Sequence, residues 1–424
     1  MRIPVTAIFL LMAATRLQSQ TIDSLAVKNT ESVLSSDDMR GRATFTPDIE
    51  RAADYIESRF KAAGLRTWNG SASYRQPFAM VRTTPVSATA TFGDSTFSAG
   101  RVFALTSATE LNVDQNSGYQ KAYIKPGANI GTEMMHYVHE KKNWLVLVDT
   151  SYAASFGRIG RFGRQQFKSD RNIIFVLTNS DPAQYSIHIR QEVKESPLAN
   201  VVGVLPGKTR KNEIVIFSAH YDHLGVGKPD EKGDSIFNGA NDDASGTTAV
   251  LMLADYFAKK KNNARTLVFA TFTAEEIGEF GSQYFSGQFN ADSVVAMFNI
   301  EMIGTESKWG TNSAYITGYE RSDMGKILEK NLTSSGFMFY PDPYPQQQLF
   351  YRSDNATLAR LGVPAHTIST SKMDSEKYYH TRGDEIGTLD MANMARIIKA
   401  IAISSTSIVD GKDTPSRVDA TQLR

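Results

Sequence analysis

Cysteine is missing from all 424 residues. The chain therefore has neither a disulfide framework nor a cysteine for lipid attachment. Long apolar runs are missing too: the one inside the opening MRIPVTAIFLLMAATRLQSQ is shorter than the roughly 20 residues a spanning helix needs. Nor is there an excess of one charge, since 46 basic and 45 acidic residues leave +1. No basic tract is interleaved with aromatics, which argues against nucleic acid as a partner. A phosphate-binding glycine loop, an internal repeat and a low-complexity tract are likewise absent.

The N-terminus has a basic start, a short apolar run and a small polar end, the pattern of a secretory signal over residues 1–20. The expected product is an exported protein, periplasmic or extracellular and not bound to a membrane, whose stability rests on its core. A composition 41% hydrophobic and 21% charged is ordinary for a globular chain of this size. Length suits one domain of about 280 residues with a smaller one.

Residues 24–34 and 47–63 read as helices. In the second, Ile49, Ala53, Ile56 and Phe60 recur at helical spacing, with Pro47 at the entry and Gly64 at the exit. Residues 21–85 begin the main domain. Between 86 and 195 the texture changes to short β-rich pieces, VSATATF, WLVLVDT and NIIFVLT, which indicate an inserted, mainly β domain. Its His136 and His139 lack a carboxylate cluster and read as a solvated or packed pair. From 196 to 410 strand and helix alternate, ending in a helix over 389–408, and the strands are rich in β-branched residues. That alternation predicts an α/β fold, a mixed, mainly parallel sheet sandwiched by helices. The tail 411–424 is polar and expected to fray.

The chain is organised around residues 214–246, which open IVIFSAHYDH and close NGANDDASG. The apolar run stops at His220, as a buried strand does at its end, where ligands commonly sit. NGANDDASG is a turn leading into the helix TTAVLMLADYF, so its carboxylates lie close to that strand end. Two further strands end in acid: TLVFATFTAEE at Glu275 and Glu276, and VVAMFNIE at Glu301. DSEKYYHTRGD later adds His380. Imidazoles and carboxylates from different loops, without thiolates, suit zinc or a similar first-row cation.

HYDH, GANDDASG, TAEE, NIEMIG, FYRSDN and YYHTRGD, in this order and spacing, resemble metallopeptidase family 28, the co-catalytic zinc exopeptidases. The resemblance covers roughly residues 30–85 and 196–410, and the insert is similar to the protease-associated domain many members carry. It implies the zinc-exopeptidase fold and two zinc ions. One would be held by Asp242, Glu276 and His380 and the other by His220, Asp242 and Glu301, with Asp242 bridging. It also implies a cis bond between Asp242 and Asp243, which places Asp243 behind the ligands; Asp222, two residues after His220 and so on the same strand face, can orient that imidazole.

By the same resemblance Glu275 is the general base, taking a proton from a metal-bridging hydroxide's parent water. Tyr379 steadies the oxyanion, and Ser353 and Asp354 shape the pocket wall. The chain departs from the family at Glu301, where Asp is usual, and at Asn355, where many relatives have His. If Glu301 does not ligate, one zinc remains. His223 is expected to stand behind the ligands or face solvent, and His366 to sit in the core.

The expectation is therefore a secreted aminopeptidase acting on peptides with a free N-terminus. Two alternatives stand beside it: a one-zinc glutaminyl cyclase, and a peptide-binding relative without turnover.

Overall fold

The computed structural model describes residues 22–140, 142–162 and 164–423, so the leader expected over 1–20 lies outside the described residues. The described chain divides into two compact units. The first comprises 22–43, 48–74 and 201–423, and the second 44–47 with the described part of 75–200.

In the first unit, four parallel strands lie side by side in the order Arg265–Phe272, Arg210–His220, Val294–Ile300 and Ala365–Ser369. Residues 201–205 flank the first antiparallel, and Ser313–Ile316 flanks the last antiparallel. The run at 214–217 is apolar at every position because both faces of this sheet are covered. Val215, Phe217 and Ala219 face one core, where the Phe217 ring lies 5.0–5.6 Å from those of Phe257, Phe269 and Phe298. Ile216 faces the other, with Val268, Met297 and Leu358. A buried Phe contributes roughly 2–3 kcal/mol, so slipping this strand by one residue would cost several such contacts.

Helices Ser24–Leu34, Asp48–Ala62, Ser245–Lys260 and Met391–Ser404 cover the first core. Phe280–Ser286 and Asn355–Ala359 cover the second. Ile49, Ala53, Ile56 and Phe60 are all buried, as their helical spacing predicts. The closing helix is interrupted at Ser405 and resumes as Thr406–Val409. Part of the tail, at 417–418, is tied down. Val418 is buried and its N–H donates to Gly362 O at 3.1 Å, while Arg417 donates to Ala291 O and Val294 O at 3.1 and 2.9 Å.

Register places the site. His220 pairs with Phe272, Ser218 with Asn299, and Ile300 with Ile368, so the parallel strands end level with one another. Residues that follow them, Asp222, Glu275, Glu276, Glu301 and the segment 370–380, therefore emerge along one edge.

The second unit contains a four-stranded sheet in which Gln120–Ile124, Trp144–Val148 and Ile173–Leu177 run parallel. Parallel neighbours need crossovers, and helices Ile130–His139 and Ala153–Phe162 supply them. The insert is thus strand-rich but carries a βαβαβ centre that its short β-like pieces do not announce. The remaining strands include the Arg75–Phe92 hairpin with Ser95–Phe97, and Glu110–Asp114 paired with 186–190. His136 is exposed and lies 3.5 Å from Glu140 one turn on.

Candidate active site

Three buried charged side chains fix the loops. Arg42 gives its guanidinium to backbone carbonyls: Nε to Tyr221 O at 2.9 Å, Nη1 to Leu34 O and Asn238 O at 2.7 and 2.6 Å, Nη2 to Gly239 O at 2.9 Å. One cation thereby ties the turn after His220 to the turn before Asp242. Asp384 accepts from Asn241 N and Asp242 N at 2.7 and 3.0 Å, and burial lifts its pKa to about 6. Asp243, joined to Asp242 by a cis peptide bond, accepts from Gly246 N and Met302 N at 3.0 Å each and from His220 N at 3.3 Å. Gly239, at φ 56°, is required here because a Cβ would strike the Asp242 carbonyl and the His223 ring.

On this frame Asp242 stands between two imidazoles. Its Oδ1 is 3.2 Å from His220 Nε2, and its Oδ2 is 3.2 Å from His380 Nε2. His380 Nε2 is also 3.0 Å from Glu276 Oε2. Two ligands of one tetrahedral zinc, each about 2.0–2.2 Å from the ion, lie roughly 3.3 Å apart, so these separations fit a shared cation. His220 Nε2, Asp242 Oδ2 and Glu301 Oε2 are buried without a hydrogen-bond partner. Buried polar atoms are rarely left so, and a divalent ion would satisfy them together. The donor set of imidazoles and carboxylates therefore fits zinc.

The electrostatics agree. Burial pushes Asp242 upward, yet the close approach of the His220 and His380 imidazoles prevails and holds it well below the usual range. Those same contacts, to Asp242 and Glu276, raise His380 to about 10. Burial raises Glu275 well above an ordinary carboxyl, against the charge of His220 and helped by Glu301 and Asp354. Burial likewise lifts Glu301 to about 7 and Asp354 to about 8.

Some expected site residues do other work. His220 Nδ1 meets the backbone carbonyl of Asp222 at 3.1 Å, whereas the Asp222 carboxylate is 3.8 Å away. That carboxylate accepts from Glu275 N and Glu276 N at 3.1 and 3.4 Å, so it braces the acidic loop. No contact of the 3.0–3.2 Å kind ties Glu301 to Asp242 or His220. Ser353 lines an open cleft together with Glu301, Tyr315, Leu349, Arg352 and Tyr379. Asp354 is not on that wall and lies buried near Ser282 and Glu279.

The Tyr379 ring stacks on His380 at 3.9 Å, and burial with the charges of Asp242, Glu276 and Glu301 raises its phenol, which stays a donor. Asn355 donates to Phe350 O and accepts from Thr367 Oγ1 at 3.0 and 2.7 Å. His366 is buried in its strand, and burial lowers it to about 4.

Of the two placements expected for His223, the structure takes the one behind Glu276. The imidazole does not face solvent: its side chain is buried, with Nδ1 2.7 Å from Glu276 Oε1 and 3.8 Å from Asp242 Oδ2. His223, Asp242 and Glu276 lie close enough together to share a cation. The one signal in the sequence was its place three residues after His220.

Residues 200–404 match the family model for Peptidase family M28. Leucine aminopeptidase 1 of Ajellomyces capsulatus (strain H88) is 25% identical over 322 residues, 70% of this chain and 80% of the relative. The fold is shared with an aminopeptidase from Aneurinibacillus sp. strain AM-1, at TM-score 0.53 and 19% identity over 92% of this chain and 95% of that one. It is shared also with BSAP, a zinc aminopeptidase from Bacillus subtilis, at TM-score 0.55 and 16% identity over 92% and 95%.

Proposed function

We propose, from the match of residues 200–404 to the model of peptidase family M28, that this chain is a zinc-dependent aminopeptidase that hydrolyses the first peptide bond of peptides with a free N-terminus. The observation that carries this reading is Asp242, whose two oxygens each meet a different imidazole at 3.2 Å while Glu275 stays outside the set. Asp242, Glu276 and His380 would hold one zinc, and His220, Asp242 and Glu301 a second. When bound, the ions supply Lewis acidity, lowering the pKa of a water at the site and polarising a carbonyl.

The protein's own groups supply the rest. Glu275, partly buried and raised well above the usual range, holds a proton on its carboxylate readily. It takes that proton from the attacking water and returns it to the leaving amine. Tyr379 keeps its phenolic proton and donates it as a hydrogen bond to the oxyanion. Glu301, on the wall of the cavity, offers a carboxylate to the substrate's free amine. The pattern of residues 1–20, a basic start, a short apolar run and a small polar end, supports export. Among the described residues no helix is long and apolar enough to cross a membrane.

Glu275→Gln tests the assignment: kcat on aminoacyl chromogenic substrates falls by about 10²–10⁴-fold with zinc content unchanged. Retained turnover would remove Glu275 as the base. The looser hold on Glu301 favours one rival, a one-zinc glutaminyl cyclase. Zinc stoichiometry measured beside an assay on N-terminal glutamine separates the two.

A further inference from the structure

One imidazole in the site has no part in that reaction. His223 is reached through a short parallel bridge to Ala43, and its N–H donates to Arg42 O at 3.2 Å. Its ring rests on Gly239, which has no side chain to displace it, and meets the His380 ring edge-on at 5.7 Å. The side chain is therefore locked in place before any ion arrives.

Distances decide what it is locked for. Its Nδ1 is 2.7 Å from Glu276 Oε1. That is the length of a charge-assisted N–H···O bond and is shorter than the roughly 3.3 Å expected between two ligands of one zinc. Glu276 uses its other oxygen, Oε2, toward His380 at 3.0 Å. The carboxylate is thus divided, one oxygen toward His380 and the other toward His223. A carboxylate can only accept, so Nδ1 carries the proton.

Resting on the zinc-peptidase reading, we infer that His223 is a positioning residue: it holds Glu276 to a single coordinating oxygen and so sets zinc affinity on the His380 side of the site. Without the bond Glu276 is free to rotate, and ordering it again weakens binding. Loss of such a supporting contact typically costs about 10–100-fold in metal affinity.

The test is zinc affinity, measured by chelator competition on the full chain. His223→Asn places an amide N–H the same number of bonds from Cβ as Nδ1, while His223→Leu keeps bulk without a donor. Expected are affinities within about threefold of the parent for the first and a loss of about 10–100-fold for the second. Parent-like affinity in His223→Leu would overturn the inference. So would an equal loss in both variants with parent-like melting of their metal-free forms, because that marks a direct ligand. Should His223→Leu fail to fold, His223→Gln, whose amide sits one bond too far out, replaces it, and affinity equal to that of His223→Asn counts against positioning. A parent chain that binds no zinc would instead sink the peptidase reading itself.

Discussion

The two sides of Asp242 are built differently. On the His380 side, Oδ2 and Glu276 Oε2 lie 3.2 and 3.0 Å from one imidazole, and Glu276 is held from behind by His223 at 2.7 Å. On the other side only the 3.2 Å contact to His220 is in place, and Glu301 keeps a buried oxygen without a partner. One half is preassembled by protein contacts, whereas the other would need an ion to complete it. Preorganised donors cost nothing to gather when the ion binds, so the His380 half should bind more tightly.

The sharpest way to break this comparison is to remove one ligand from each half. His380→Ala should lose zinc on its side by well more than the about 10–100-fold that a lost supporting contact costs, and turnover should fall with it. Glu301→Ala should weaken only the looser ion. Dialysis against graded chelator, with zinc content read at each step, checks the order. Were Glu301→Ala to release zinc as readily as His380→Ala, the two halves would be equal. Between these extremes lies Tyr379, stacked on His380 and facing the cavity. Tyr379→Phe removes one donor from the reaction and should lower kcat by about 10²-fold, with KM nearly unchanged. An unaltered kcat would leave the phenol as packing alone.

Much of this was legible before any coordinates. The strand 214–217 showed itself because both of its faces are buried, and the helix at 49–60 because one face is. The acids and imidazoles showed themselves by following apolar runs, since level parallel strands deliver their last residues to one edge. What sequence did not show is which atom faces which. Asp222 and His223 are neighbours of His220 in a turn, where no period fixes side-chain direction, and both turn to the Glu275–Glu276 loop. Arg42 and Asp384 were hidden for another reason: they bond to backbone atoms, and a carbonyl or an N–H has no letter in a sequence. The crossover helices of the second unit were concealed by being short, ten residues each.

Glu31 sharpens the contrast from outside the site, with the smallest effect on turnover. It is a fully buried carboxyl, unlike the partly buried Glu301, and it faces Thr248, whose hydroxyl donates to Oε2 at 2.8 Å, rather than the cavity. Burial raises its pKa from 4.5 to about 8, against the Thr248 bond and the charge of Arg42. The folded protein therefore keeps a proton that the unfolded chain releases above 4.5. Stability from this group is complete below that value and declines as pH climbs toward 8. Glu31→Gln cannot release a proton, so its stability relative to the parent should rise between pH 5 and pH 8, by up to about 4 kcal/mol, with kcat little changed. Denaturant unfolding at several pH values measures that gap. A gap that stays constant from pH 5 to pH 8 would mean that Glu31 is ionised in the folded state and that Arg42, not burial, governs it.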